Sequence, residues 1–305
     1  MNWKRLLTTP PPTTGWVLDT SQVVVVHRAG PEELHCAVEE LPPEVFEIGP
    51  VGLQSLDVEA LTPALARLRG AAEGSGAAAV VMPTKWLRSF LLDADRLPRK
   101  ENELYEVVRW RLKKILPVKP SELRLSVVRL AEVNGRRQLL VMAGMERALA
   151  VAETAFRGVG IEPGFITTRL FALVPRNGGV DRPLVVIQHE SGLLSLMLID
   201  SGIPRLLRTK PLPAGNHDGE SLFREVRNSL DYIREKIGIE GEIEVKIVTD
   251  DVDFDADIRS RLADVDHVVP SAELFLPPCG PTTVADRLGA ARLAPAIALV
   301  MGEVR

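Results

Sequence analysis

The chain has 305 residues, of which 46% are hydrophobic and 26% charged, and a formal net charge of −4. That length suits about two domains and a core that needs neither metals nor disulfides, while the acidic balance excludes a basic field for nucleic acid. The two cysteines, Cys36 and Cys279, stand far apart, a usage that fits a reducing compartment and argues against a Cys-x-x-Cys metal site.

Residues 1–13 read as a flexible tail, because the Thr8–Thr14 run TTPPPTT can form neither helix nor central strand. From Gly15 the text turns strand-like, as WVLD and then VVVVHR from Val23, with a turn at Asp19 to Gln22. Leu56 to Ala72 reads as a helix ending near Gly74-Ser75-Gly76, and Ala77 to Met82 as a short buried strand stopped by Pro83. Such alternation points to an α/β lobe.

The texture changes after Pro83. Leu87, Phe90 and Leu92 suggest a strand, and Pro98 opens a long helix through Leu116. Leu104, Val107, Val108, Leu112, Ile115 and Leu116 carry the spacing of one buried face. Strands over 123–130 and 138–143 flank the Asn134-Gly135 turn. Residues 83–145 therefore read as a small subdomain inserted into a first lobe formed by 14–82 and 146–179. Arg147 to Gly158 is its helix, and Arg176-Asn177-Gly178-Gly179 is the candidate hinge. The second lobe, 180–305, opens with strands over 184–187, 193–199 and 204–208. A helix over Ser221 to Ile237, a strand over 244–248 and a small-residue helical segment from Val284 follow.

No signal-peptide pattern opens the chain. Its longest apolar stretch, Leu293 to Met301, is interrupted by Pro295 and is shorter than the ~20 residues of a spanning helix. The expectation is a cytoplasmic protein that meets the membrane through a partner, without direct insertion.

Three strings carry a family likeness. ELYEVVRWRLKKILPVKPSEL (Glu103 to Leu123), EVRNSLDYI (Glu225 to Ile233) and AIALVMG (Ala296 to Gly302) stand in an order and spacing that resemble the PilM family of type IV pilus assembly proteins, actin-like and related to FtsA. The resemblance implies an actin-like (ribonuclease-H-like) two-lobed α/β fold with the small inserted α/β subdomain. In that family two β-hairpins grip nucleotide phosphates, each through an Asp-x-Gly. Here the first motif reads Val17-Leu18-Asp19, with Val17 at the Asp position and Asp19 at the Gly position. The second reads Gln188-His189-Glu190, where Gln188 replaces the metal-organising carboxylate and Glu190 the glycine. Beyond Val248 the adenosine-side stretch is acid-rich from Asp250 through Asp255. Acids beside polyphosphate repel it. The five degenerate positions Val17, Asp19, Gln188, Glu190 and Asp250 are thus expected to face a shared cleft that has lost its nucleotide.

Other chemistry is sparse. His189 and Glu190 are neighbours on a strand and point to opposite faces. His217-Asp218 sits where a helix cap is expected, and the histidines show no metal-ligand spacing. No nucleophile elbow, zincin or phosphate-loop motif is present. Arg109, Arg111, Lys113 and Lys114 read as a solvated helix face. The expectation is therefore no catalytic residue, no metal and no cofactor. The resemblance implies a non-catalytic scaffold that captures the N-terminal tail of a PilN-like single-pass membrane protein, and it leaves room for self-association. Trp86, at the join of first lobe and insertion, and Trp110, off the buried stripe, are the expected partner-binding residues. The alternatives are an actin-like ATPase or switch with divergent phosphate loops, and the cytoplasmic part of a type II secretion L protein.

Overall fold

The computed structural model describes residues 12–31, 33–72, 77–94, 97–133, 135, 137–174, 182–190, 192–212, 219–249, 252–271 and 290–301. β-Branched runs build its first sheet. β1 (Thr14–Leu18), β2 (Gln22–Arg28) and β3 (Leu34–Glu40) form an antiparallel meander. β6 (Ala77–Met82) and β10 (Glu162–Thr168) extend it in parallel from β1, in the order β10-β6-β1-β2-β3.

The second sheet repeats this plan. β11 (Leu184–Glu190), β12 (Leu193–Asp200) and β13 (Ile203–Pro211) form the meander, and β14 (Ile243–Thr249) and β15 (Val268–Pro270) run parallel from β11. Two sheets with one topology, each flanked by helices, make the two-lobed actin-like α/β fold.

Both faces of the first sheet are covered, as its fully buried strands require. On one side lie α1 (Val58–Leu68), capped by the Asp57 side chain, and α3 (Glu146–Gly158), packing Leu61, Leu65 and Phe156 against Trp16 and Leu18. On the other lies α7 (Ala290–Met301), whose Leu293, Ala296 and Ile297 meet Val17, Val24 and Val26. The approach is close: a Cβ on Gly15 would lie 3.3 Å from Ala296. Residues 290–301, grouped by sequence with the second lobe, thus help to close the core of the first. Cys36 lies in the same core.

The insertion is a three-stranded antiparallel sheet, β7-β9-β8, from β7 (Arg88–Asp93), β8 (Leu123–Arg129) and β9 (Gln138–Met145). α2 (Glu101–Leu112) lays Leu104, Val108 and Leu112 over Leu139 and Val141. This helix is shorter than its periodicity suggests. Amides of Lys114 and Ile115 bond three residues back, to Arg111 and Leu112. Tightening the last turn in this way rotates the side chain off the stripe, and Ile115 is half exposed where the pattern placed it in the core. The hairpin of β4 (Phe46–Gly49) and β5 (Gly52–Leu56) buttresses the join. Gly52, at φ +111°, passes so near the Trp86 carbonyl that a Cβ would fall 2.1 Å from its oxygen.

In the second lobe α5 (Gly219–Tyr232) continues as a π-helical turn over Ile233–Ile237, stopped by Gly238 in the left-handed conformation. α6 (Val252–Ala263) was not visible in the sequence. The acids that suggested only a repulsive loop run on into its first turns, where they suit the helix dipole, while Phe254, Ile258 and Leu262 fill the core. The candidate hinge at 176–179, Gly74 to Gly76, Asn134, His217-Asp218 and Cys279 lie outside the described residues.

Candidate functional site: the cleft between the lobes

The cleft is built by the turns that end β1 and β11. In the first, the Asp19 amide bonds the Gln22 carbonyl at 2.9 Å, and the Asp19 carboxylate accepts from the Thr20 amide at 2.6 Å. In the second, Gln188 and Glu190 are two residues apart on one strand and share a face. His189 points the other way, toward Thr249 at 3.2 Å and the Phe254 ring.

Between the hairpins lies Arg169, the first residue of α4 (Arg169–Ala172), 2% exposed. One guanidinium nitrogen is 2.7 Å from Asp19 Oδ2 and another 3.1 Å from Glu190 Oε1. A second guanidinium, from Arg292 on α7, stands 3.7 Å from Asp19 Oδ2. Thr84, in the turn after β6, completes the bridge: its hydroxyl donates to Gln188 Oε1 at 2.7 Å and its amide to Glu190 Oε2 at 3.2 Å. The Gln188 side-chain amide donates to the same Glu190 oxygen at 3.0 Å, and the Leu170 amide donates to the Thr84 hydroxyl at 3.3 Å.

The arrangement is a buried charge network that joins the lobes. Arg169 presents a planar fork of donors, a geometry suited to two carboxylates at once. Desolvation alone would raise the Asp19 carboxyl, but Arg169, the Thr20 amide and Arg292 together bring it below its ordinary value. For Glu190 burial wins, and its carboxyl is raised despite Arg169 and the Thr84 amide.

Asp19, Gln188 and Glu190 therefore meet in one place, but that place is filled by Arg169 and Thr84. Val17 is elsewhere: it points into the first-lobe core against α7. Asp250 lies outside the described residues. Trp86 is 0% exposed and stacks on Phe46 at 4.4 Å, whereas Trp110 is 60% exposed with the Lys114 ammonium 3.8 Å above its ring. Sequence reasoning missed Arg169, Arg292 and Thr84. A signal existed for the first, because a lone arginine stands directly before the apolar stretch Leu170 to Val174, and two buried acids require a cation.

No family model matches the sequence, and no curated protein matches it. Its fold is that of a chain in the solved structure of a PilM-PilN type IV pilus biogenesis complex: TM-score 0.67 at 20% identity, covering 96% of this chain and 98% of that one. Also similar is the cytoplasmic domain of EpsL, an inner membrane component of the type II secretion system of Vibrio cholerae, at TM-score 0.49 and 10% identity, covering 92% and 97%. A Bacteroides thetaiotaomicron protein with an actin-like ATPase fold follows at TM-score 0.47 and 8% identity, covering 85% and 90%. Among the described residues no helix is long and apolar enough to cross a membrane, and no group of three or more His, Cys, Asp or Glu is placed to hold a metal.

Proposed function

We propose that the protein is a PilM-like cytoplasmic scaffold that neither binds nor hydrolyses ATP, within an inner-membrane complex assembling a type IV pilus or related secretion machine. The observation that carries this reading is Arg169, lodged between Asp19 and Glu190 where an actin-like ATPase holds phosphates. A nucleotide would have to expel a buried arginine and leave two carboxylates facing its own negative charge, a loss of several kcal/mol by the usual penalty for breaking a buried pair. The likeness over nearly the whole chain to a structure containing both PilM and PilN supports the second half of the proposal, that the partner is the short cytoplasmic tail of a PilN-like single-pass protein. Extended-peptide capture needs main-chain hydrogen bonds and apolar pockets, not a nucleotide. Trp110 is the exposed contact in this reading, and Trp86, buried against Phe46 in the first-lobe core, is not.

A thermal-shift titration with Mg-ATP tests the first half. A bound ligand at 100 times its dissociation constant stabilises by about 2.7 kcal/mol, and no shift at millimolar nucleotide is expected. Ordered phosphates at residues 19–22 and 190–192 in an ATP-soaked crystal would end the reading. Capture of a synthetic PilN-like tail peptide tests the second half. Wild type should retain the peptide and Trp110→Ala should lose most of it; equal retention would place the groove elsewhere.

A further inference from the structure

We propose that a small cavity beside the charge network binds an anionic group, a carboxylate or a phosphate, and so reads a ligand across the two lobes. The cavity, about 170 Å³, opens where the turn after β6, the start of β7, α4 and the second lobe's β13 converge. Leu170 and Phe171 form its apolar floor. Lys85, Arg88 and Ser89 line one wall, and Thr209 lines the cavity from the second lobe. No Asp or Glu lines it.

The charge pattern is the argument. Several arginines elsewhere pair with acids, as Arg124 with Glu146, Arg157 with Glu162, Arg208 with Glu225 and Arg259 with Asp255, while Arg109, Arg129 and Arg234 donate to backbone carbonyls. Among the described residues neither Lys85 nor Arg88 makes an ion pair of that kind. Two cationic residues and three hydroxyl residues, Thr84, Ser89 and Thr209, line the cavity, and charge-assisted hydrogen bonds are the strong ones in such a donor-rich site. Size narrows the class. At roughly 30 Å³ per water the cavity equals about six waters, below the ~300 Å³ at which drug-sized sites begin. It suits a carboxylate or phosphate on a short body and is too small for a nucleotide.

Its position gives the site a consequence. Thr84 lines the cavity and also ties Gln188 and Glu190 to the first lobe. Leu170, in the floor, donates its amide to Thr84 and follows Arg169 in the chain. Lys85 acts electrostatically on Glu190. An anion held here would touch both lobes and the residues that join them, a control point separate from the old phosphate site. The inference does not depend on a PilN-like partner.

The test uses the full chain at constant ionic strength, with succinate and inorganic phosphate as probes and succinamide as the uncharged control. Binding is followed by thermal shift, and hydrogen exchange is read over residues 84–89 and 170–171. Stabilisation by succinate alone points to a carboxylate ligand and by phosphate alone to a phosphorylated one; either supports the site if succinamide is inert and protection appears in those two segments. The Lys85→Gln, Arg88→Gln double variant should bind the active anion about tenfold or more weakly. Equal binding by wild type and variant, protection confined to other segments, or no binding of either anion up to about 10 mM would overturn the proposal.

Discussion

The hairpins of the two lobes occupy equivalent places in sheets of one strand order, and each hands a single carboxylate to Arg169. The carboxylates nevertheless titrate in opposite directions. Asp19 has two guanidiniums and the Thr20 amide within reach and is held below its ordinary value. Glu190 is met by one guanidinium and two amide donors, is penalised more by burial, and is raised. Two acids at equivalent turns are thus not equivalent. The first-lobe carboxylate is content with its charge, and the second-lobe one is penalised by burial.

The largest effect should come from removing the shared cation. Arg169→Ala leaves both acids buried without their main partner and should cost about 3–5 kcal/mol in urea unfolding. Neutralising all three positions, as Arg169→Met with Asp19→Asn and Glu190→Gln, should recover most of that loss, because apolar replacement of a whole buried ion network is commonly neutral or better. A triple variant as unstable as Arg169→Ala would mean that the arginine acts through packing.

Single amides sharpen the contrast between halves. Asp19→Asn should cost about 1.5–3 kcal/mol, as expected for hydrogen bonds to charged groups. Glu190→Gln keeps its amide neighbours, sheds a penalised charge and should fall within about 1 kcal/mol of wild type. The reverse order would refute the assignment of the weaker half to the second lobe.

The two carboxylates also give opposite pH signatures. The Asp19 contribution is present above its unfolded value near 3.8 and is lost as pH falls through the lower folded value. The Glu190 contribution is full below its unfolded value near 4.5 and is lost as pH rises through the higher folded value. The stability of Glu190→Gln relative to wild type should therefore improve from pH 4.5 to pH 8, and a flat difference would contradict it. The smallest effect belongs to Arg292→Gln. Its guanidinium is one-third exposed and 3.7 Å away, so a loss within about 1 kcal/mol is expected.

Much of the fold was legible because it is local. β6 follows its apolar run, and α1 falls within the span read as helix, ending at Leu68 in a short 3-10 turn over 69–71. β11 to β14 fall where β-branched and aliphatic residues cluster. The elements that escaped are those whose stabilisation comes from afar. α4 is four residues long and is held by both lobes, and β3, β4 and β5 carry mixed sequences fixed by their sheet neighbours. Of the cleft, Asp19, Gln188 and Glu190 were recognisable as misplaced acids and a misplaced amide. Their partners lie 150, 104 and 106 positions along the chain, a separation at which a single sequence does not show which residues pair. Ile115 and Trp86 show the limit from the other side: periodicity and residue type suggest a face, but the last turn of a helix and the press of Gly52 decide it.

The placement of α7 has a consequence for synthesis. Leu293, Ala296, Ile297 and Val300 complete the core whose other half, Val17, Val24 and Val26, leaves the ribosome some 270 residues earlier. Until α7 emerges, Val17, Val24 and Val26 lack the contacts that it supplies. A folding protein with so long a wait presents apolar β-structure to its surroundings, and closing contacts of such sequence separation are slow to form. Nascent chains arrested before residue 290 should therefore be held by trigger-type chaperones and digested readily within residues 14–40, whereas those arrested beyond residue 301, with enough further chain to clear the exit tunnel, should resist.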